Sequence, residues 1–154
     1  MMLKLFLAVL FSFGVLNIMA QVDLSEVDTQ KDGVGFGCGI GGMMTQAVWD
    51  MIDLLKDNDY LAIREKLFSQ HDADLFIAVI VNEGLTKKKK IVLTDREIDQ
   101  IKKMRNLENV IPVCSGCGYW DQVSVKTLLN KKEKHLIYRH AKSWFKFYYK
   151  FSHE

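Results

Sequence analysis

From Thr45 to Met104 the chain repeats one pattern, a short run with apolar residues at helical spacing followed by a polar break. Val48, Ile52 and Leu55 form one stripe, with Asp50, Asp53 and Lys56 on the other side. Steps of three and four residues place side chains on one face of a helix. "KDNDY" at 56–60 interrupts the pattern, and Asp59 stands where a cap is needed for the next segment, which carries Ile63 and Leu67. "SQHDAD" interrupts it again. Asp72 then suits the cap of a third helix running through Leu75, Val79 and Ile80 to Gly84, where glycine suits the position after a helix end. The β-branched run at 77–81 would also suit a buried strand. "TDRE" at 94–97 has the spacing of a capping box, and Ile98, Ile101 and Met104 follow as a stripe. A short helix with one apolar stripe is stable only when that stripe is covered, so these helices must stack on one another.

The stretch from Asp59 to Gly84 resembles one unit of a HEAT-like helical hairpin. The resemblance implies a mainly α fold of stacked short helices. It brings no functional residues with it, because stacked hairpins host many roles. At 110–127 the period changes. Val110, Ile111 and Val113 favour a strand, and Val123 and Val125 alternate with Gln122, Ser124 and Lys126. This predicts a small β-hairpin with Ser115 and Gly116 at its turn, resting on the helices. The expected organisation is a signal peptide at 1–20, a polar and glycine-rich segment at 21–44, a compact helical domain with a small hairpin at 45–130, and a basic aromatic tail at 131–154.

The leader "MMLKLFLAVLFSFGVLNIMA" has one charge, Lys4, then an apolar run from Leu5 to Leu16, then the small residue Ala20. That order describes a secretory signal peptide cleaved after Ala20. The run is short for a bilayer-spanning helix, which needs about 20 apolar residues. The mature chain is expected to be secreted or periplasmic.

Residues 33–42, "GVGFGCGIGG", hold six glycines and spell G-x-G-x-x-G at Gly37, Gly39 and Gly42. A dinucleotide fingerprint needs a hydrophobic strand before the glycines and an acid at the end of a second strand. The residues before are acidic and irregular, so a tightly packed glycine segment is expected instead, with Val34, Phe36, Cys38 and Ile40 alternating into a core.

Three cysteines remain to be placed. Cys114 and Cys117 flank Ser115 and Gly116 in "VCSGCGYW". A redox C-x-x-C closes a strand and opens a helix, so that one thiolate is stabilised. Here β-like alternation follows the motif, and the sole proline, Pro112, precedes it. A zinc site needs four ligands, and the four histidines show no close pairing. No metal or other cofactor is therefore expected. In an oxidising compartment Cys114 and Cys117 are expected to form a local disulfide across the turn. Cys38 is then left over, to be buried, to pair with another chain, or to replace one of the two in a longer bridge. Their alternative role is a redox pair in thiol–disulfide exchange.

Charge is unevenly spread. Residues 21–86 carry twelve acids against four bases, and residues 87–154 carry sixteen bases against seven acids. Packing the two halves together would cancel much of this. The tail carries seven aromatic residues. Read as a helix, it has Ile137, Ala141, Trp144, Tyr148 and Phe151 on one face and Arg139, Lys142, Lys146 and Lys150 on another. Trp144, Phe145, Tyr148, Lys142, Lys146 and Lys150 are the candidates for a partner surface or a weak membrane-surface contact. Read as a strand, Phe145, Phe147, Tyr149 and Phe151 alternate with Lys146, Tyr148 and Lys150. The lysine run 87–90 is expected to be a solvated turn, with no nucleic-acid motif around it.

Motifs for nucleophilic, zinc-hydrolytic or phosphate-binding chemistry are absent from the sequence. The expectation is a small exported helical module that binds an as yet unknown protein partner or plays a structural role. The runner-up is a thiol–disulfide exchange protein. Export predicts that protein recovered outside the cytoplasm begins at or near Gln21. Intact mass retaining Met1 in that fraction would contradict it.

Overall fold

The computed structural model describes residues 29–116, 119–133 and 135–151. The expected signal peptide and Cys117 lie outside the described residues. After a single turn, α1 (Thr29–Asp32), the chain forms strand β1 (Val34–Cys38) and a two-residue strand β2 (Met43–Met44). Helices α2 (Gln46–Lys56) and α3 (Tyr60–Glu65) follow, and α3 tightens into a 3₁₀ turn at Lys66–Phe68. Helices α4 (Asp72–Lys87) and α5 (Asp95–Met104) lead into strands β3 (Val110–Gly116) and β4 (Tyr119–Ser124). The short α6 (Val125–Leu128) and the long α7 (Leu136–Phe151) complete the fold.

The expectation of a mainly α fold is corrected by the sheet. Four strands pair in the order β2-β1-β3-β4, with β1 and β3 parallel and the two outer pairings antiparallel. The glycine segment is thus a central strand, and the 110–127 hairpin is not an isolated appendage. Stacked hairpins alone do not build the core, because β1 and β3 must pair across all the helices between them. The molecule is helical with a mixed sheet.

Helix α4 shows why a HEAT-like reading misleads. Every residue from Leu75 to Asn82 is buried. A helix apolar on all sides belongs in the middle of a core, and α4 packs against α2, α3, α5, α6 and α7. The β-branched run at 77–81 is therefore helical. The buried Asn82 ties two helices together, its Nδ2 donating to the Ile63 carbonyl at 3.0 Å and to that of Ala78 at 2.9 Å. Gly84 does not end the helix, which runs three residues further. A Cβ at Gly84 would fall on the Phe145 ring, so glycine is there to let α7 approach. His71, not Asp72, occupies the cap position of α4. The strand pattern also stops early, at Ser124, whose hydroxyl caps α6.

Local signals at other helix starts match the structure. Asp59 Oδ1 accepts from the Ala62 amide at 3.0 Å, and the Thr94–Glu97 capping box is complete. Glu97 does more than cap. It is buried, accepts two hydrogen bonds from Arg64 at 2.7 and 2.9 Å, and accepts from the Thr94 amide at 2.7 Å. It thereby joins α5 to α3. The Arg64 guanidinium, helped by the Thr94 amide and hydroxyl, outweighs the burial and holds the carboxyl at about 2, below its ordinary 4.5.

A carboxyl depressed in the folded state stabilises the fold above its unfolded pKa, and that contribution fades as pH falls through the folded one. Stability measured by urea unfolding is expected to fall by roughly 2 kcal/mol through this group alone as the pH drops below 4.5 toward 2. Glu97→Gln should be less stable at neutral pH and should show a flatter acid limb. An unchanged acid limb in that variant would contradict the assignment.

Candidate functional site

The cysteines meet where β1 and β3 run side by side. Cys38 bonds to Cys114, across 76 residues of sequence. The expected Cys114–Cys117 bridge is corrected, since Cys114 has its partner in β1 and Cys117 lies outside the described residues. Two sequence features explain why the longer bridge forms. Gly35 is level with Cys114 in the parallel register, and the pairing of β1 with both neighbours then slips before Cys38. In a regular strand residues 35 and 38 would face opposite sides of the sheet. The extra residue of a bulge turns Cys38 to the side that Gly35 and Cys114 share. Gly35 supplies the space, because a Cβ there would fall on both sulfurs.

Val34 and Phe36 therefore face the opposite side from Cys38, which corrects the simple alternation read from the sequence. On that opposite side lies α7. Phe36 packs on Trp144 with ring centroids 5.6 Å apart, and Ser115 Oγ lies 3.1 Å from His140 Nδ1. The bridge is enclosed, with Cys38 at 3 % and Cys114 at 1 % exposure. Beside it, Trp120 is paired with Cys114 across β3 and β4 and is partly exposed.

The glycine turn beyond Cys38 does not form a phosphate cradle. A strand does precede it, but the chain reverses at Gly39 and Gly42, both at positive φ, and returns antiparallel as β2. The residue before α2 is tied to β1 instead. Thr45 precedes the helix, and its Oγ1 accepts from the Gly35 amide at 3.0 Å while its own amide donates to the Gly35 carbonyl at 3.1 Å. Ile40, at the tip of this turn, is almost fully exposed. Among the described residues, no three histidine, cysteine or acidic side chains come together as metal ligands.

The tail is a helix, which leaves the strand reading without support. Its candidate surface residues divide in two. Trp144 and Phe145 are buried, against Phe36 and Gly84, and Tyr148 is half-buried beside Trp144. Trp144 and Phe145 pack the helix onto the core, and Tyr148 is partly covered there. Lys142, Lys146 and Lys150 are exposed. The exposed aromatics are instead Phe147 and Phe151, one helical turn apart with ring centroids 4.6 Å from each other.

Comparisons with known proteins find no match for this chain among family models, curated proteins or solved structures. The site is therefore read from its own chemistry.

The Cys38–Cys114 bridge closes a long loop, 76 residues in sequence, where a Cys114–Cys117 bridge would close only a short one. Chain-entropy arguments give roughly 4 kcal/mol for a loop of this size. Paired replacement Cys38→Ser/Cys114→Ser should lower the melting temperature by on the order of 10 °C. Gly35→Ala should cost about 1–3 kcal/mol through crowding and should hinder oxidation. Non-reducing peptide mapping checks the bond. A dominant Cys114–Cys117 peptide would contradict the assignment.

Proposed function

We propose that the chain is a small exported module with a protein-binding or structural role and no chemistry of its own. The enclosed Cys38–Cys114 bridge carries this reading. A thiol–disulfide exchange protein must present a sulfur to its substrate, whereas both of these sulfurs are buried and wedged over Gly35. A bridge so placed acts as a staple between two strands. Disulfides of this kind persist in oxidising compartments, which agrees with a leader of signal-peptide type. No helix among the described residues is long and apolar enough to cross a membrane.

An insulin-reduction assay on the mature protein is expected to show no turnover above the background of dithiothreitol. Turnover that disappears in Cys114→Ser would instead establish thiol–disulfide exchange.

A further inference from the structure

Two lysine-bearing segments, far apart in sequence, come together at one end of the molecule. Gly84 lies against Phe145, and Lys88 Nζ stands 5.1 Å from the Tyr149 ring centroid. Residues four apart on α4 thus meet residues four apart on α7 in the same order, so the helices run parallel and their C-termini share one end. At that end α4 finishes in Lys87, Lys88, Lys89 and Lys90, all exposed. The last turns of α7 present Lys146 and Lys150, also exposed, whereas Lys142, a turn earlier, holds its amine back over the Tyr138 ring. Across its sixteen residues α7 has no acidic side chain. Two helix C-termini lying together make that end favourable for cations.

Apolar groups border the lysines. Along α7, Lys146 and Lys150 point to one quarter of the helix, and Phe147 and Phe151 point to the next. Phe147 is 55 % and Phe151 67 % exposed. A plane laid against the outer side of α7 can touch both rows at once. Val92, just beyond Lys90, is 85 % exposed.

We propose that this end of the molecule docks on an anionic lipid bilayer surface. The lysines of both helices would meet lipid headgroups, and Phe147 and Phe151 would enter the interface beside them. The charge is of one sign and spread over two elements, which suits a broad anionic surface. The exposed aromatics suit an interface that is polar outside and apolar just beneath. The surface goes beyond the reading of a protein-binding or structural module, and rests on it only for the compartment. Vesicle binding tests the surface and insulin reduction tests that reading, so the two can fail separately.

Sedimentation of the mature chain with vesicles tests the proposal. The chain should partition onto phosphatidylcholine vesicles containing about one-third phosphatidylglycerol, and should leave pure phosphatidylcholine vesicles alone. Binding should weaken as salt is raised. Lys146→Gln with Lys150→Gln should lower the partition coefficient on the order of tenfold, and Lys87→Gln with Lys90→Gln should do the same. Phe147→Ser with Phe151→Ser should lower it further at high salt. These residues are exposed, and unchanged melting curves would confirm that the variants fold. Absent binding, or equal binding to both vesicle types, overturns the proposal. So does full binding by the Lys87/Lys90 variant, because the tail alone would then suffice. Tight binding to heparin with no vesicle binding would also overturn it, and would assign the surface to an acidic macromolecule.

Discussion

The parallel pairing of β1 with β3 is the constraint on which the rest of the molecule depends. Parallel neighbours cannot be joined by a tight turn, so the chain must cross from one to the other through an intervening layer. Here that crossing is made by α2, α3, α4 and α5. Their apolar stripes acquire a common target because the two strands must end side by side. The Cys38–Cys114 bond closes the same long loop covalently. One pairing therefore sets both the topology and the position of the only bridge among the described residues. It depends in turn on Gly35, the one residue type small enough to lie beneath both sulfurs.

The second requirement is a helix that can be surrounded. Helix α4 gives up a polar face, and its neighbours cover it. Gly84 sets how closely α7 approaches, through Phe145, while the other edge of α7 reaches the sheet through Trp144 on Phe36. Thus α7 spans helix layer and sheet together. Its buried aromatics are consumed in that task, which leaves Phe147 and Phe151 outside.

Signals contained within a few residues were legible in the sequence. Asp59 as a cap, the Thr94–Glu97 box and the stripe Val48–Ile52–Leu55 all rest on contacts inside one helix or at its end, and all are present. What was hidden depends on partners far away in sequence. The β1–β3 pairing could not be read from "GVGFGCGIGG", since six glycines in ten residues mask the β-branched signature of a strand. A two-residue spacing made Cys114–Cys117 attractive, but spacing says nothing of a third cysteine that a bulge can deliver to the same face. Gly84 looked like a stop signal because a glycine that ends a helix and one that admits a neighbour are identical in sequence. The Arg64–Glu97 pair had no local trace at all, whereas an acid at the third position of a capped helix did mark Glu97.

The uneven charge of the two halves resolves into two physically different parts. Some of it is neutralised by packing, as expected of halves that fold together. Glu83, from the acidic half, meets Arg105 and Lys131 from the basic half. The lysines at the ends of α4 and α7 are another matter. Among the described residues no carboxylate pairs with Lys87, Lys89, Lys90 or Lys146. Like charges crowded together oppose compactness, and they are tolerated here because they project into water from helix ends whose dipoles favour them. Their grouping is a consequence of α4 and α7 running parallel. In an antiparallel arrangement the same residues would lie at opposite ends of the molecule. The register that Gly84 allows therefore both completes the core and gathers the positive charge onto one end.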